Sequence, residues 1–341
     1  MLVKKVSMKT EQGFSAVEVI IAITITLVLM TGAISAFNSS MDLNQKAIVM
    51  ADLEQNLRAG MNMLARDFMS AGWNIPIGGI PIPSGVGAVS VVRPGPPGSN
   101  LFFNTVNIAA VNPGAGLGPV GFGQATDIVN ILFADSTLSL EDAPLSSIAF
   151  DGSSATVDAS IPIAGIPNEI RAGDLIAFSN ALGNTLQYVT RVSGQQMFFQ
   201  QGDPMNLNQP NASQGNITQI RNAGGFPPTT AMRVLLITYY LDYTTDPNTP
   251  RLIRRVNNRS GNAVALVLEN LQLTYDLVDG VTNPTDIETP VSPNSPNQIR
   301  KANLHLLGRS SSVIKNTGEY LRRSLTTQVS LRSLSFVDRY N

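Results

Sequence analysis

Few side chains in this 341-residue sequence could do chemistry, and the one in the least expected place is Glu18. It is the sole formal charge between Phe14 and Phe37, in an otherwise apolar run. A carboxylate there costs on the order of 2–3 kcal/mol even on lenient insertion scales, so it needs a compensating cation, and an ionisable residue in such a run is a functional site by default. Other reactive groups are scarce. The chain has no cysteine, which excludes disulfides, thiol nucleophiles and cysteine-based metal sites. Its single histidine, His305, lies in NLHLLGR, where Leu304 and Leu306 are expected to point inward and His305 outward. One histidine without cysteine does not build a zinc site. Gly116-Leu117-Gly118-Pro119-Val120-Gly121 matches GxGxxG formally, but it contains a proline and leads into the strand-like QATDIVNILF, where a dinucleotide loop would open a helix. The acid groups Asp242/Asp246 and Asp279/Asp286/Glu288 lack the spacing of a calcium loop. The expectation is a chain with no catalytic residue, no cofactor and no metal: not an enzyme.

The run around Glu18 has the length to span a membrane. As a helix its 24 residues extend about 36 Å, against about 30 Å of hydrocarbon. Lys4, Lys5 and Lys9 precede it, a bias that keeps the N-terminus cytoplasmic and sends the C-terminus across. A conventional signal peptide has a shorter apolar core and a better cleavage site than Ala33-Ile34-Ser35. A plain single-pass anchor fits the length and leaves Glu18 unexplained.

Gly13-Phe14-Ser15-Ala16-Val17-Glu18, after a short basic leader and before an apolar helix, resembles the class III signal of type IV prepilins. The resemblance implies that a prepilin peptidase cuts between Gly13 and Phe14 on the cytoplasmic side and methylates the new Phe14 terminus. Phe14 and Glu18 then become assembly residues, with the Phe14 ammonium of one subunit meeting Glu18 of its neighbour. An α-amino group is positive at neutral pH, and opposite charges in a low-dielectric bundle specify register more than they add stability. A first-turn carboxylate also suits the positive end of the helix dipole.

No proline interrupts residues 14–72, so one long helix is expected, with residues 14–37 in the membrane and an amphipathic second half. Leu43, Met50, Leu57 and Leu64 recur every seven residues; Ala47, Met61 and Phe68 follow four later, with Glu54 interrupting that second series. A coiled-coil dimer is the competing reading of this seam. Gly72, Pro76 and GGIPIPSGVG stop the helix. Residues 73–341 read as strand and loop. MRVLLITYYLDY is apolar on both faces, as in a central strand, and NLQLTYDL places Leu271, Leu273, Tyr275 and Leu277 on one face. TLQYVTRV alternates as a half-buried strand, and a change of phase after Leu331 that moves Leu334 and Phe336 to the other face predicts a bend near Arg332 and Ser333. Long loops at 201–231 and 280–298 are expected either to display a surface or to be mobile. The fold class is α+β: a cleaved leader over 1–13, the helix over 14–72, and a mainly antiparallel β-rich domain over 73–341.

Charge is uneven along the chain. From residue 250 onward 12 Lys+Arg face 7 Asp+Glu, which leaves 11 against 17 in residues 1–249. Arg254, Arg255, Arg322, Arg323 and Arg332 are dispersed among strands, as on a solvated sheet face rather than a polyanion site. Nucleic acid is a possible but unsupported partner.

GDLIAFSN (173–180), ITYYLDYTTDPNTPRLIRRV (237–256) and VLENLQLTYDLVD (267–279) resemble PilW-like minor pilins and, more distantly, J-type pseudopilins of type II secretion. The resemblance implies a subunit that helps initiate pilus assembly, with the pilus tip as a location open to it. Its implied partners are the prepilin peptidase, other minor pilins, the major pilin and the inner-membrane assembly platform. It implies an inner-membrane protein with a periplasmic domain that later joins the pilus. A membrane-anchored adhesin or DNA-uptake component is the alternative of another class.

Overall fold

A computed structural model describes residues 13–138, 140–142, 145–222, 224–314 and 318–335. The expected basic leader with Lys4, Lys5 and Lys9, and Phe336 near the C-terminus, lie outside the described residues. The fold is α+β. One helix, α1 (Ala16–Ser70), precedes a strand-rich antiparallel region. The chain divides into two compact units between Asp52 and Leu53. The last turns of α1 belong to the unit that holds the sheets.

In the first unit every residue from Gly13 to Met41 is exposed. Such a surface is stable only in an apolar solvent or against other apolar helices. The hydroxyls of Thr24, Thr26 and Thr31 donate to Ile20, Ala22 and Leu27 carbonyls at 2.7–2.8 Å, so none asks for water. The expected seam is buried at Leu57, Met61, Leu64 and Phe68 but not in its earlier turns. Leu43 and Ala47 are exposed, and burial along the helix begins at Leu53.

The second unit contains three principal sheets. The largest joins β3 (Val111–Gly114), β6 (Ile128–Ala134), β9 (Leu175–Asn180), β10 (Gly183–Tyr188), β13 (Thr230–Asp242), β14 (Arg251–Val256) and β15 (Asn262–Leu266). β7 (Leu145–Ile148), β8 (Ser154–Val157), β11 (Arg191–Ser193) and β12 (Gln196–Phe198) form a second sheet; β16 (Leu268–Leu277), β17 (Ile299–Val313) and β18 (Tyr320–Ser330) form a third. Two ribbons, β1 (Ile80–Pro81) with β2 (Asn107–Ile108) and β4 (Val120–Gly121) with β5 (Gln124–Ala125), complete the described strands.

β13 is central, as its two apolar faces require. It pairs with β6 on one side and with β9 and β14 on the other. Ile237, Tyr239 and Leu241 face the core that holds α1, while Val234 and Leu236 enter a second core with Ile80, Ile108 and Leu186. β16 buries Leu271, Leu273, Tyr275 and Leu277 as expected. TLQYVTRV is corrected: Thr185 and Gln187 are as buried as Leu186 and Tyr188, and the strand breaks after Tyr188. The 201–231 loop is mostly packed. Met205, Leu207, Ile217 and Ile220 are buried, and Asn208 bonds both backbone groups of Tyr188. At the far end β18 stops at Ser330, and the expected bend is a helical turn, α2 (Arg332–Ser335).

Within this unit, Leu53, Leu57, Met61, Leu64 and Phe68 share one face of α1 and join the core formed by β13, β14, β16 and β17. Gly60 lets the backbone come close: a Cβ there would stand 2.9 Å from that of Ala265. One buried carboxylate, Asp67, lies among these apolar residues. Arg254 Nε donates to it at 2.6 Å and the Tyr239 hydroxyl at 2.8 Å. Burial opposes the Arg254 charge, but the bond and the charge of Asp67 outweigh it and raise its pKa. Burial first, then Asp67, pushes the Tyr239 hydroxyl well above its ordinary range, so it stays a donor. Removing one member strands the others without water. Asp67→Ala is expected to cost roughly 3 kcal/mol in a denaturant titration; an unchanged midpoint would mean that the triad holds nothing in place.

Candidate functional site

The N-terminal site is built by the start of the helix. Gly13, Phe14 and Ser15 precede α1 outside any helical turn, and Phe14 is 88% exposed. A Cβ on Gly13 would meet nothing within 4 Å. Packing among the described residues therefore does not demand glycine there.

Ser15 and Glu18 form a reciprocal cap. The Val17 N–H donates to Ser15 Oγ at 3.3 Å, and the Ser15 N–H donates to Glu18 Oε2 at 2.9 Å. The glutamate half is that of a capping box, while the serine accepts from the second helical N–H instead of the third; both bonds satisfy donors that the first helical turn leaves open. This arrangement gives Glu18 a local role that the sequence reading missed, although the spacing Ser15-Ala16-Val17-Glu18 spells it out. The cap also fixes where the carboxylate stands, at the positive end of the helix and beside Phe14 in sequence. Glu18 remains without a cationic partner among the described residues.

The other candidates take structural roles. His305 is half-buried on β17, opposite Gln272 and Thr326, with Leu304 and Leu306 buried on the other face. The glycines at 116–121 serve a tight hairpin: the Gly116 N–H donates to Asp127, and a Cβ on Gly121 would collide with the Tyr243 hydroxyl and the Glu269 carbonyl. Asp242 caps the turn between β13 and β14. Burial opposes its charge, but the Thr245 and Thr244 hydroxyls and Arg251 hold its carboxyl well below the usual range. Backbone N–H groups of Asn283 and Val281, with the Thr282 hydroxyl, hold half-buried Asp279 down at about 2. Among the described residues no group of three His, Asp or Glu side chains is placed to hold a metal ion.

The basic residues are not a simple solvated face, contrary to expectation. Glu269 on β16 is buried between Arg309, at 3.1 Å, and Arg322, at 2.7 Å. Arg322 stacks on Phe122 and Arg309 on Tyr320. Arg254 is committed to Asp67, and Arg255 donates to the carbonyls of Gly95, Asn258 and Arg259. Much of the positive charge after residue 250 is thus spent inside the fold. The acids that pair Arg254, Arg309 and Arg322 lie dozens of residues away in sequence, so composition could not reveal them.

Comparison with protein families, curated proteins and solved structures finds no match for this chain. The site is therefore read from its own residues. If the Ser15 cap holds the first turn, Ser15→Ala will speed amide exchange at Val17 in detergent by roughly fivefold, the equivalent of about 1 kcal/mol. Equal exchange rates in the two proteins would remove Ser15 from the cap.

Proposed function

We propose that this chain is a minor subunit of a type IV pilus, made as a prepilin and cut between Gly13 and Phe14. The observation that carries the reading is the exposed Gly13–Phe14 bond directly before a capped apolar helix whose first-turn carboxylate has no cation among the described residues. Both residues of that bond are exposed and outside the helix, where an enzyme could reach it. Cutting it creates an ammonium at Phe14, and N-methylation keeps that charge. The ammonium of one subunit then meets Glu18 of the next, and the pair sets their stagger.

On this reading the protein is a substrate of prepilin peptidase and not itself an enzyme. The long apolar helix is compatible with a single membrane anchor. The proposal orients it with the sheets in the periplasm, next to the assembly platform and other minor pilins, and later in the pilus. A type II secretion pseudopilin would share the processing and differ in the filament it joins. A DNA-uptake role gains little support, because Arg254, Arg309 and Arg322 are already paired with buried acids.

The test is the N-terminal mass of the protein produced with and without prepilin peptidase. The expected product starts at N-methylated Phe14 and appears only with the enzyme. A chain left uncut, or cut near Ser35, would overturn the reading.

A further inference from the structure

A strand at the edge of a sheet leaves every second N–H and C=O without a ladder partner, and folded proteins cover, shorten or break such edges. This fold does so at β16. On its outer side Leu271 O accepts from Asp127 N–H at 3.0 Å, and Leu273 N–H donates to the Asp127 carboxylate at 2.7 Å. Tyr275 and Ile287 exchange two bonds of 2.9 Å, and Leu277 N–H donates to Pro284 O. At β10 the Asn208 amide bonds both backbone groups of Tyr188. The edges β3, β7, β11 and β15 have five residues or fewer.

β18 is handled differently. It has 11 residues and a single neighbour, β17. No register shift occurs from Ser330 to Arg322, and the strand contains neither proline nor lysine. The phase of its ladder follows from β16. Because Leu273 and Tyr275 bond outward, Gln272 and Thr274 bond to His305 and Asn303. Leu304 and Ala302 must then bond to Thr327 and Val329. The outward row of β18 is therefore Arg322, Ser324, Thr326, Gln328 and Ser330, and none of these has an outward backbone partner among the described residues. Beside that row, Leu321 and Leu325 are only half-buried on the strand's other face.

We propose that β18 pairs edge to edge with β18 of a second copy of this chain, antiparallel, about a two-fold axis through Thr326. In that register Thr326 faces Thr326, Ser324 faces Gln328 and Arg322 faces Ser330. Every outward group gains a partner, roughly ten hydrogen bonds at two per facing pair. Arg323 falls opposite Val329 and Leu325 opposite Thr327, so no guanidinium opposes another. Moving the axis toward Arg322 leaves Ser330 unpaired and brings the arginines together. The strand thus meets itself without like-charge repulsion at the register that satisfies its whole edge. The second copy also covers the open side of Leu321 and Leu325. This pairing does not rest on the pilin reading.

The absence of cysteine makes the test clean. Full-length Thr326→Cys protein in detergent is oxidised and run without reductant. Facing residues of an antiparallel pair stand about 5.5 Å apart at Cα, within the reach of a disulfide. The expected result is a Thr326→Cys homodimer. Ser324→Cys is expected to link to Gln328→Cys in a mixture, while each links to itself far less. Ser324→Pro removes one outward donor without breaking the β17 ladder, and should lower the cross-linked fraction of Thr326→Cys roughly tenfold. A monomer by light scattering, a dimer that does not link at Thr326, or linking only to a different protein would each overturn the proposal.

Discussion

A carboxylate buried in a helix is tolerable only if its charge is met, and Asp67 is met by Arg254 on β14 and Tyr239 on β13. This clamp constrains the rest of the second unit. An apolar stripe such as Leu53, Leu57, Leu64 and Phe68 can slide or rotate on a greasy surface at modest cost. A buried charge with fixed partners cannot. Once Asp67 is bound, the helix has one phase and one depth. Gly60 then falls against Ala265, while Leu53 and Leu57 reach Gly308 on β17. The same helix face thereby joins the largest sheet to the three-stranded one, so the polar triad sets the geometry that the apolar contacts stabilise.

Much of this was readable from local pattern, where local pattern decides. The long helix, the two-faced strand β13 and the alternating strand β16 follow from period and burial alone. The departures have a shared cause: each depends on a partner far away in sequence. Leu43 has the right spacing for the seam but is exposed, while Leu53, outside the heptad count, is buried. Thr185 and Gln187 look like the wet side of a strand. They are buried because Gly215 accepts from the Thr185 hydroxyl and that hydroxyl in turn accepts from Gln187. The asparagines of the 201–231 loop resemble surface polarity in the sequence, yet Asn208 and Asn216 act as internal hydrogen-bond brackets. Arg309 and Arg322 could not be matched to Glu269 before the sheet was folded. The capping role of Glu18 is the exception, since Ser15 and Glu18 are local and the motif was visible.

Two carboxylates in α1 show the division of labour. Asp67 is buried and has its cation within the same chain. Glu18 is exposed on an apolar helix, and among the described residues it is held by the Ser15 N–H alone. Folding explains the first completely and the second in part, because a capping glutamine would do as well in a cap and avoid the charge. On the proposed function the charge is kept for a cation that another subunit brings.

The most direct measurement is the amount of Glu18→Gln protein in sheared filaments, relative to wild type, from cells that process both forms equally. Glutamine preserves the cap and removes the charge, so the predicted result is a correctly cut, folded chain that is depleted from filaments. Incorporation at the wild-type level would contradict the account and leave Glu18 as a helix cap alone.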